Sequence, residues 1–251
     1  INCHAGKLPF FRGRNILNWV LINDESEFGI TVHFVDEGID TGDIISQKVY
    51  PINDDDNYST LLNRAFVGCA DLLFETLQSF KDNSFTRTNQ SKLHPVGFYC
   101  GGRGMGDEII DWNQTSRELF NFIRAISEPG PLAHTFLNGS VIKLESSQMI
   151  HDAPSYKGTP GQVLMKTNNG LIVKTLDSFL DQSSLRRRIK KIFCLLIFLS
   201  FLFNLSTGTR ELLPLILGLI IFFYVLNNNN TKNKGNMIYS NKKISISIFI
   251  F

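Results

Sequence analysis

Asn2 and His4 stand two residues apart, and a glycine-bounded acidic turn, Gly38-Ile39-Asp40-Thr41-Gly42, follows further along the chain. Side chains of an extended segment repeat with period two, so Asn2 and His4 would share one face while Cys3 takes the other. An amide and an imidazole on one face suit acyl transfer to an amine. That reaction needs a base for the proton of the attacking nitrogen and a donor for the oxygen that becomes negative. A carboxylate at Asp40 would orient the imidazole and favour its protonated form. The plainer reading stands beside this one. A histidine near a chain end is more often a surface or satisfied residue, and Asp-x-Gly strings are more often plain turns.

The wider run separates the two readings. Asn2-Cys3-His4, Leu8-Pro9-Phe10-Phe11-Arg12-Gly13, Asn18-Trp19, Gly29-Ile30-Thr31-Val32-His33 and Asp36 to Ile44 together resemble the catalytic domain of the 10-formyltetrahydrofolate-dependent formyltransferases. The resemblance implies that His4 transfers the proton, Asn2 stabilises the tetrahedral transition state and Asp40 tunes His4. It also implies that Arg14, Asp36, Glu37, Gly38, Ile39 and Asp40 hold the folate donor, partly through main-chain groups. A glycine there suits a flat ring lying against the backbone. His33, His94, His134 and His151 are expected to be structural or solvent-facing.

These residues need a scaffold, and its signals are readable. Gly29 to Val35 and Ile44 to Ile52 alternate as strands. Tyr58 to Phe80 carries Leu61, Leu62, Ala65, Phe66, Cys69, Leu72, Leu73 and Leu77 as the apolar face of a helix. Asn83 to Tyr99 reads as a polar loop. Thr115 with Glu118 forms a capping-box pattern ahead of Leu119, Phe122, Ile123 and Ile126 at helical spacing. Asn138-Gly139 between Ala133–Leu137 and Val141–Leu144 is a two-residue hairpin signal, and Gly161–Met165 with Leu171–Thr175 reads as a second strand pair. The sequence from Ile109 to Pro131 resembles the opening of the family's smaller C-terminal domain. The expected fold is therefore α/β, with the C-terminal part of a Rossmann-like formyltransferase domain over 1–108. A small β-rich, OB-like domain follows over 109–182, interrupted where a further strand should follow Leu180. The preceding half of the first domain is expected to be missing.

Composition fits a globular body with an unlike tail. The 251 residues are 43% hydrophobic with a formal net charge of +2, a balance that gives no global attraction to polyanions. Cys3, Cys69, Cys100 and Cys194 show no C-x-x-C spacing, so neither a zinc site nor a disulfide scaffold is indicated and a reducing cytoplasm is expected. Gly101 to Gly106 is glycine-rich but follows a loop, and reads as a flexible junction rather than a phosphate cradle. Residues 183–251 leave the family pattern. They hold a basic cluster, Arg186 to Lys191, and two apolar runs within 192–226, each shorter than the roughly 17 to 25 residues that span a bilayer. Three readings stand for this tail: a segment outside the native fold, a membrane-associated anchor through 192–226, or a soluble extension.

Three readings of function stand: transfer to the amine of a nucleotide-linked amino sugar, transfer to the α-amino group of methionyl-tRNA, or an inactive fragment or membrane-attached remnant. The runs Gly6 to Pro9, Arg12 to Trp19 and Asp107 to Trp112 resemble the sugar-modifying branch, which is the expected one. No metal is expected.

Overall fold

Strand β1 (Asn2–His4) pairs antiparallel with β3 (Glu27–His33), placing Asn2 opposite His33, Cys3 opposite Val32 and His4 opposite Thr31. Strand β4 (Ile44–Pro51) continues the sheet on the far side of β3, also antiparallel. The short connection from β3 to β4 explains that direction, because a parallel neighbour would need a long crossover. These features come from a computed structural model that describes residues 1–168 and 170–187, with side chains described to residue 183. Residues 1–166 and 170–187 form one compact unit.

Between the first strands, β2 (Arg12–Gly13) leads into α1 (Ile16–Ile22). This helix has no counterpart in the sequence reading, for a physical reason. It is seven residues long, and Asn15 enters it at φ 55° with no side-chain capping bond, so it carries neither a cap signature nor a full amphipathic repeat. Helix α2 (Tyr58–Lys81) matches the expected helix and starts with a capping box between Asn57 and Thr60. It buries Leu61, Ala65 and Leu72 against the sheet, whereas Phe66 and Leu77, expected on that face, are exposed together with Val67 and Phe74. The region read as a polar loop contains a short helix, α3 (Gln90–Leu93), and is followed by β5 (Tyr99–Cys100), which runs parallel to β2.

Helix α4 (Ser116–Ala125) begins with the Thr115/Glu118 capping box that the spacing predicts. Leu119, Ile123 and Ile126 are fully buried, and each contributes about 2 kcal/mol through apolar burial. Polar contacts fix the docking of α4 on the first strands and helices. The buried Asn18 side chain donates to the Ala125 carbonyl at 2.5 Å, and Arg117 bridges Asp24 and Asp54. The buried Arg124 guanidinium donates to the Asn53 carbonyl at 2.7 Å and to Asn121 at 3.0 Å. Burial, and then the charge of Arg117, hold Arg124 below its ordinary pKa. An Arg124→Met variant keeps most of the volume but leaves the Asn53 carbonyl without this donor. The expected loss is about 1–3 kcal/mol, read as a lower urea midpoint at unchanged slope.

Beyond α4 lies a five-stranded antiparallel sheet. Its strands are β6 (Ala133–Leu137), β7 (Ser140–Met149), β8 (Val163–Lys166), β9 (Leu171–Lys174) and β10 (Phe179–Arg187), in the order β6-β7-β10-β9-β8. The β6–β7 turn is Asn138-Gly139 with φ 49° and 73°, the two positive values a tight hairpin requires. The sequence reading breaks this sheet after Leu180; instead β10 runs on to Arg187 and fills the space between β7 and β9. Its polar stretch Asp181-Gln182-Ser183 hid a central strand, because Gln182 is buried against expectation. Among the described residues no helix is long and apolar enough to cross a membrane. The expected membrane contact through 192–226 lies outside the described residues.

Candidate active site

Pairing of β1 with β3 sets the site, because it puts Asn2, His4 and His33 at one end of the sheet, and the β3–β4 connection brings Asp40 to them. His4 is buried, 9% exposed. Its Nε2–H donates to the Phe11 carbonyl at 2.7 Å, and its Nδ1 lies 3.6 Å from Asp40 Oδ2. Phe11 presents that carbonyl from φ 53°, an uncommon conformation for a bulky residue.

Asp40, at φ 54°, sits between two imidazoles. Its Oδ2 accepts the Gly13 N–H at 2.9 Å, and its Oδ1 lies 3.5 Å from His33 Nε2. His33 is 3% exposed. Its Nδ1–H donates to the Phe34 carbonyl at 2.7 Å, and its Nε2 lies 3.3 Å from the Asn2 amide nitrogen. His33, expected to be structural or solvent-facing, is buried within this cluster. It touches both Asn2 and Asp40. The missed signal was cross-strand register: His33 is directly opposite Asn2, a neighbour that alternation within one strand does not reveal. The other histidines agree with expectation. His94 is exposed and its Nδ1 accepts the Gly97 N–H, His134 of β6 pairs with Lys143 of β7, and His151 is exposed beside Asp152.

Cys3 takes the opposite face of β1 from His4, as period-two geometry requires. Its thiol packs toward α2, 3.7 Å from the Cys69 carbonyl oxygen. A side-chain hydrogen bond to Cys69, followed by burial, pushes the Cys3 thiol well up, and the same hydrogen bond holds Cys69 down. Cys3 is thus a poor thiolate and faces away from the imidazoles.

The residues expected around a folate ring lie along the outer side of this cluster. Asp36 Oδ1 accepts the Thr41 hydroxyl at 2.6 Å and the Gly38 N–H at 3.2 Å, closing a turn. The Thr41 bond is the chief cause that holds the Asp36 carboxyl below the usual range. Val35 and Ile39 are 68% and 65% exposed, two apolar side chains flanking an exposed main-chain loop. Arg14 and Glu37 stay at the surface, Arg14 directly after the Gly13 N–H that holds Asp40. Asn2, His4, His33 and Asp40 are brought together. Among the described residues no group of three or more His, Cys, Asp or Glu is placed to hold a metal ion. The Gly101–Gly106 stretch lies at the surface, and Trp19 Nε1–H donates to the Gly101 carbonyl at 2.8 Å.

The chain is similar to known proteins. Residues 1–74 match the family described as Formyl transferase, and residues 105–199 match its Formyl transferase, C-terminal domain. Over 186 residues the chain is 36% identical to a methionyl-tRNA formyltransferase of Streptococcus agalactiae, covering 74% of this chain and 58% of that protein. It is 37% identical over 192 residues to one of Fusobacterium nucleatum, covering 76% and 61%. The chain therefore spans about three fifths of the length of these relatives. Among solved structures, an N-formyltransferase from Helicobacter canadensis, crystallised with folinic acid and dTDP-3-aminofucose, superimposes with a TM-score of 0.60 at 24% identity. That match covers 74% of this chain and 65% of the other. A sugar 3N-formyl transferase with dTDP and 5-N-formyl-THF gives 0.55 at 26% identity, covering 75% and 65%.

Proposed function

The chain belongs to the formyl transferase family, and on that premise we propose that its site moves a formyl group from 10-formyltetrahydrofolate to a primary amine. The observation that carries this reading is the convergence of His4 and His33 on one carboxylate, with the Asn2 amide beside them. That combination supplies a proton acceptor, a group that orients and charge-balances it, and an N–H donor for negative charge on the transferred carbonyl oxygen.

The residues present fit the folate donor. Exposed Val35 and Ile39 offer apolar contact to a flat ring, the exposed segment Asp36 to Gly38 lies between them, and Arg14 is a surface cation near Gly13. When bound, the donor supplies an activated formyl carbon. The chain's own task is the proton. With Nε2–H held by the Phe11 carbonyl and Nδ1 facing Asp40, His4 takes a proton from an amine only when one of those contacts opens. Catalytic hydrogen bonds commonly rearrange in this way on substrate binding. Asp40, fixed by the Gly13 N–H, then balances the imidazolium. Residues 1–108 act within the catalytic domain and the residues from 109 to the end of β10 at Arg187 as the smaller domain, in a cytoplasmic enzyme.

Two acceptors have support. The loop residues Gly6 to Pro9 and Arg12 to Trp19 resemble the sugar-modifying branch, and the solved neighbours include enzymes crystallised with a dTDP-amino sugar or with dTDP. The curated relatives at 36–37% identity are methionyl-tRNA formyltransferases. This higher identity puts methionyl-tRNA ahead as acceptor, with a nucleotide-linked amino sugar second. The test offers 10-formyltetrahydrofolate with charged methionyl-tRNA or with amino-sugar nucleotides, and follows tetrahydrofolate release. Turnover with one acceptor assigns the branch. A folded chain that turns over neither would overturn the reading.

A further inference from the structure

We infer that Gln90 is a positioning residue for Asp40, holding its main chain directly and its carboxylate through Arg12 and β2; this rests on the catalytic reading of His4 and Asp40 above. Gln90 opens α3, in a segment read from sequence as loop, and is 2% exposed. Its amide is used at both ends. Nε2 donates to the Asp40 carbonyl and to the Gly42 carbonyl, each at 2.8 Å. Oε1 accepts from Arg12 Nε at 3.1 Å and from Arg12 Nη2 at 2.7 Å.

Arg12 is itself buried. Its remaining reach goes to the Val96 carbonyl at 3.3 Å and the Tyr99 hydroxyl at 3.4 Å, with the guanidinium over the Tyr99 ring. It precedes Gly13, whose N–H holds Asp40 Oδ2 at 2.9 Å. One side chain thus reaches both attachments of Asp40: the main-chain carbonyl by direct bond, and the carboxylate through the strand that carries Arg12 and Gly13. Neighbouring contacts set Gln90 in place. Thr88 and Ile44 exchange main-chain bonds at 2.8 Å in both directions, and Asp43 accepts from Arg87 at 2.6 Å and Asn89 at 2.9 Å.

The position demands an amide. The Arg12 side requires an acceptor and the Asp40–Gly42 side requires two donor hydrogens, and among side chains of this length glutamine alone provides both. Glutamate keeps the acceptor for Arg12 but turns an oxygen toward two carbonyl oxygens, so the Asp40 loop is pushed away while the volume stays the same. Methionine removes both functions at similar volume. Since a displacement of about 1 Å at a reacting group costs on the order of 10²-fold in rate, Gln90→Glu should lower kcat on that scale, raise KM for the folate donor held by the same loop, and leave KM for the amine nearly unchanged.

The experiment is a double-mutant cycle on the full chain, Gln90→Glu and Asp40→Asn singly and together, read by kcat and by long-range 1H–15N spectra of the histidine rings. The expected result is that Gln90→Glu changes the nitrogen signals of His4 and His33 and lowers kcat, and adds nothing to the rate loss of Asp40→Asn. Additive rate losses, or ring signals unchanged from the parent with a folded far-UV spectrum, would overturn the inference and leave Gln90 a packing residue. If the parent chain transfers no formyl group to any acceptor, the proposed function fails, and the ring spectra of Gln90→Glu still decide the positioning role.

Discussion

Replacement of His4 by alanine is expected to lower formyl transfer by about 10²- to 10⁴-fold, the range typical of removing a positioned proton-transfer group. The fold should persist. His4 is the third residue of β1, whose pairing with β3 depends on main-chain bonds that alanine retains. The structural loss is the side-chain bond from Nε2–H to the Phe11 carbonyl at 2.7 Å and the Nδ1 contact with Asp40 at 3.6 Å, together with a small void. A buried carbonyl deprived of its donor costs about 1–3 kcal/mol, so the thermal midpoint should fall by several degrees without loss of cooperativity. The rate loss should fall mainly on kcat, since the imidazole is buried behind the exposed Asp36–Ile39 loop rather than part of it. A folded His4→Ala protein with near-parental turnover would remove His4 from the proton-transfer role. In that case His33 becomes the remaining imidazole on Asp40, 3.5 Å from Oδ1, and His33→Gln would become the decisive variant.

Sequence reading reached three of the residues that converge, Asn2, His4 and Asp40, but not their wiring. Asn2 and His4 were legible because period two in a strand is a local rule, and Asp40 because its glycine-bounded turn is local too. The capping box at Thr115 and the Asn138-Gly139 hairpin were legible for the same reason. What stayed hidden depends on long-range placement. His33 joins the site through cross-strand register with Asn2, and Gln90 through bonds to Asp40 and Arg12, each far away in sequence. Short helix α1 lacked a cap signature, and β10 was disguised by a polar run whose Gln182 is nevertheless buried. The exposed Phe66 and Leu77 show the converse: apolar spacing identified the helix α2 correctly but overstated how much of its surface is covered among the described residues.

The Asp40 loop supplies the second large effect. A Cβ placed at Gly42 would stand 1.8 Å from the Phe34 carbonyl oxygen. No rotation of a side chain relieves that clash, because both partners are main chain. Phe34 is tied to the other end of the same loop, its N–H donating to the Asp43 carbonyl at 2.9 Å, and the Gly42 carbonyl accepts from Gln90 at 2.8 Å. Gly42→Ala must therefore open the loop, break one or both of these bonds and displace Asp40, two residues away, from the Gly13 N–H that fixes its carboxylate. The expected loss is about 2–4 kcal/mol of stability and, for a shift near 1 Å, on the order of 10²-fold in kcat. Gly101→Ala is the matched control: no atom lies within 4 Å of its added Cβ, so its stability should stay within about 0.5 kcal/mol of the parent. The comparison separates a general glycine effect from one confined to Asp40. If Gly42→Ala kept both its urea midpoint and its rate, the loop would have a second conformation that serves Asp40 equally well. The tight approach of Gly42 to Phe34 would then be incidental to the site rather than a condition for it.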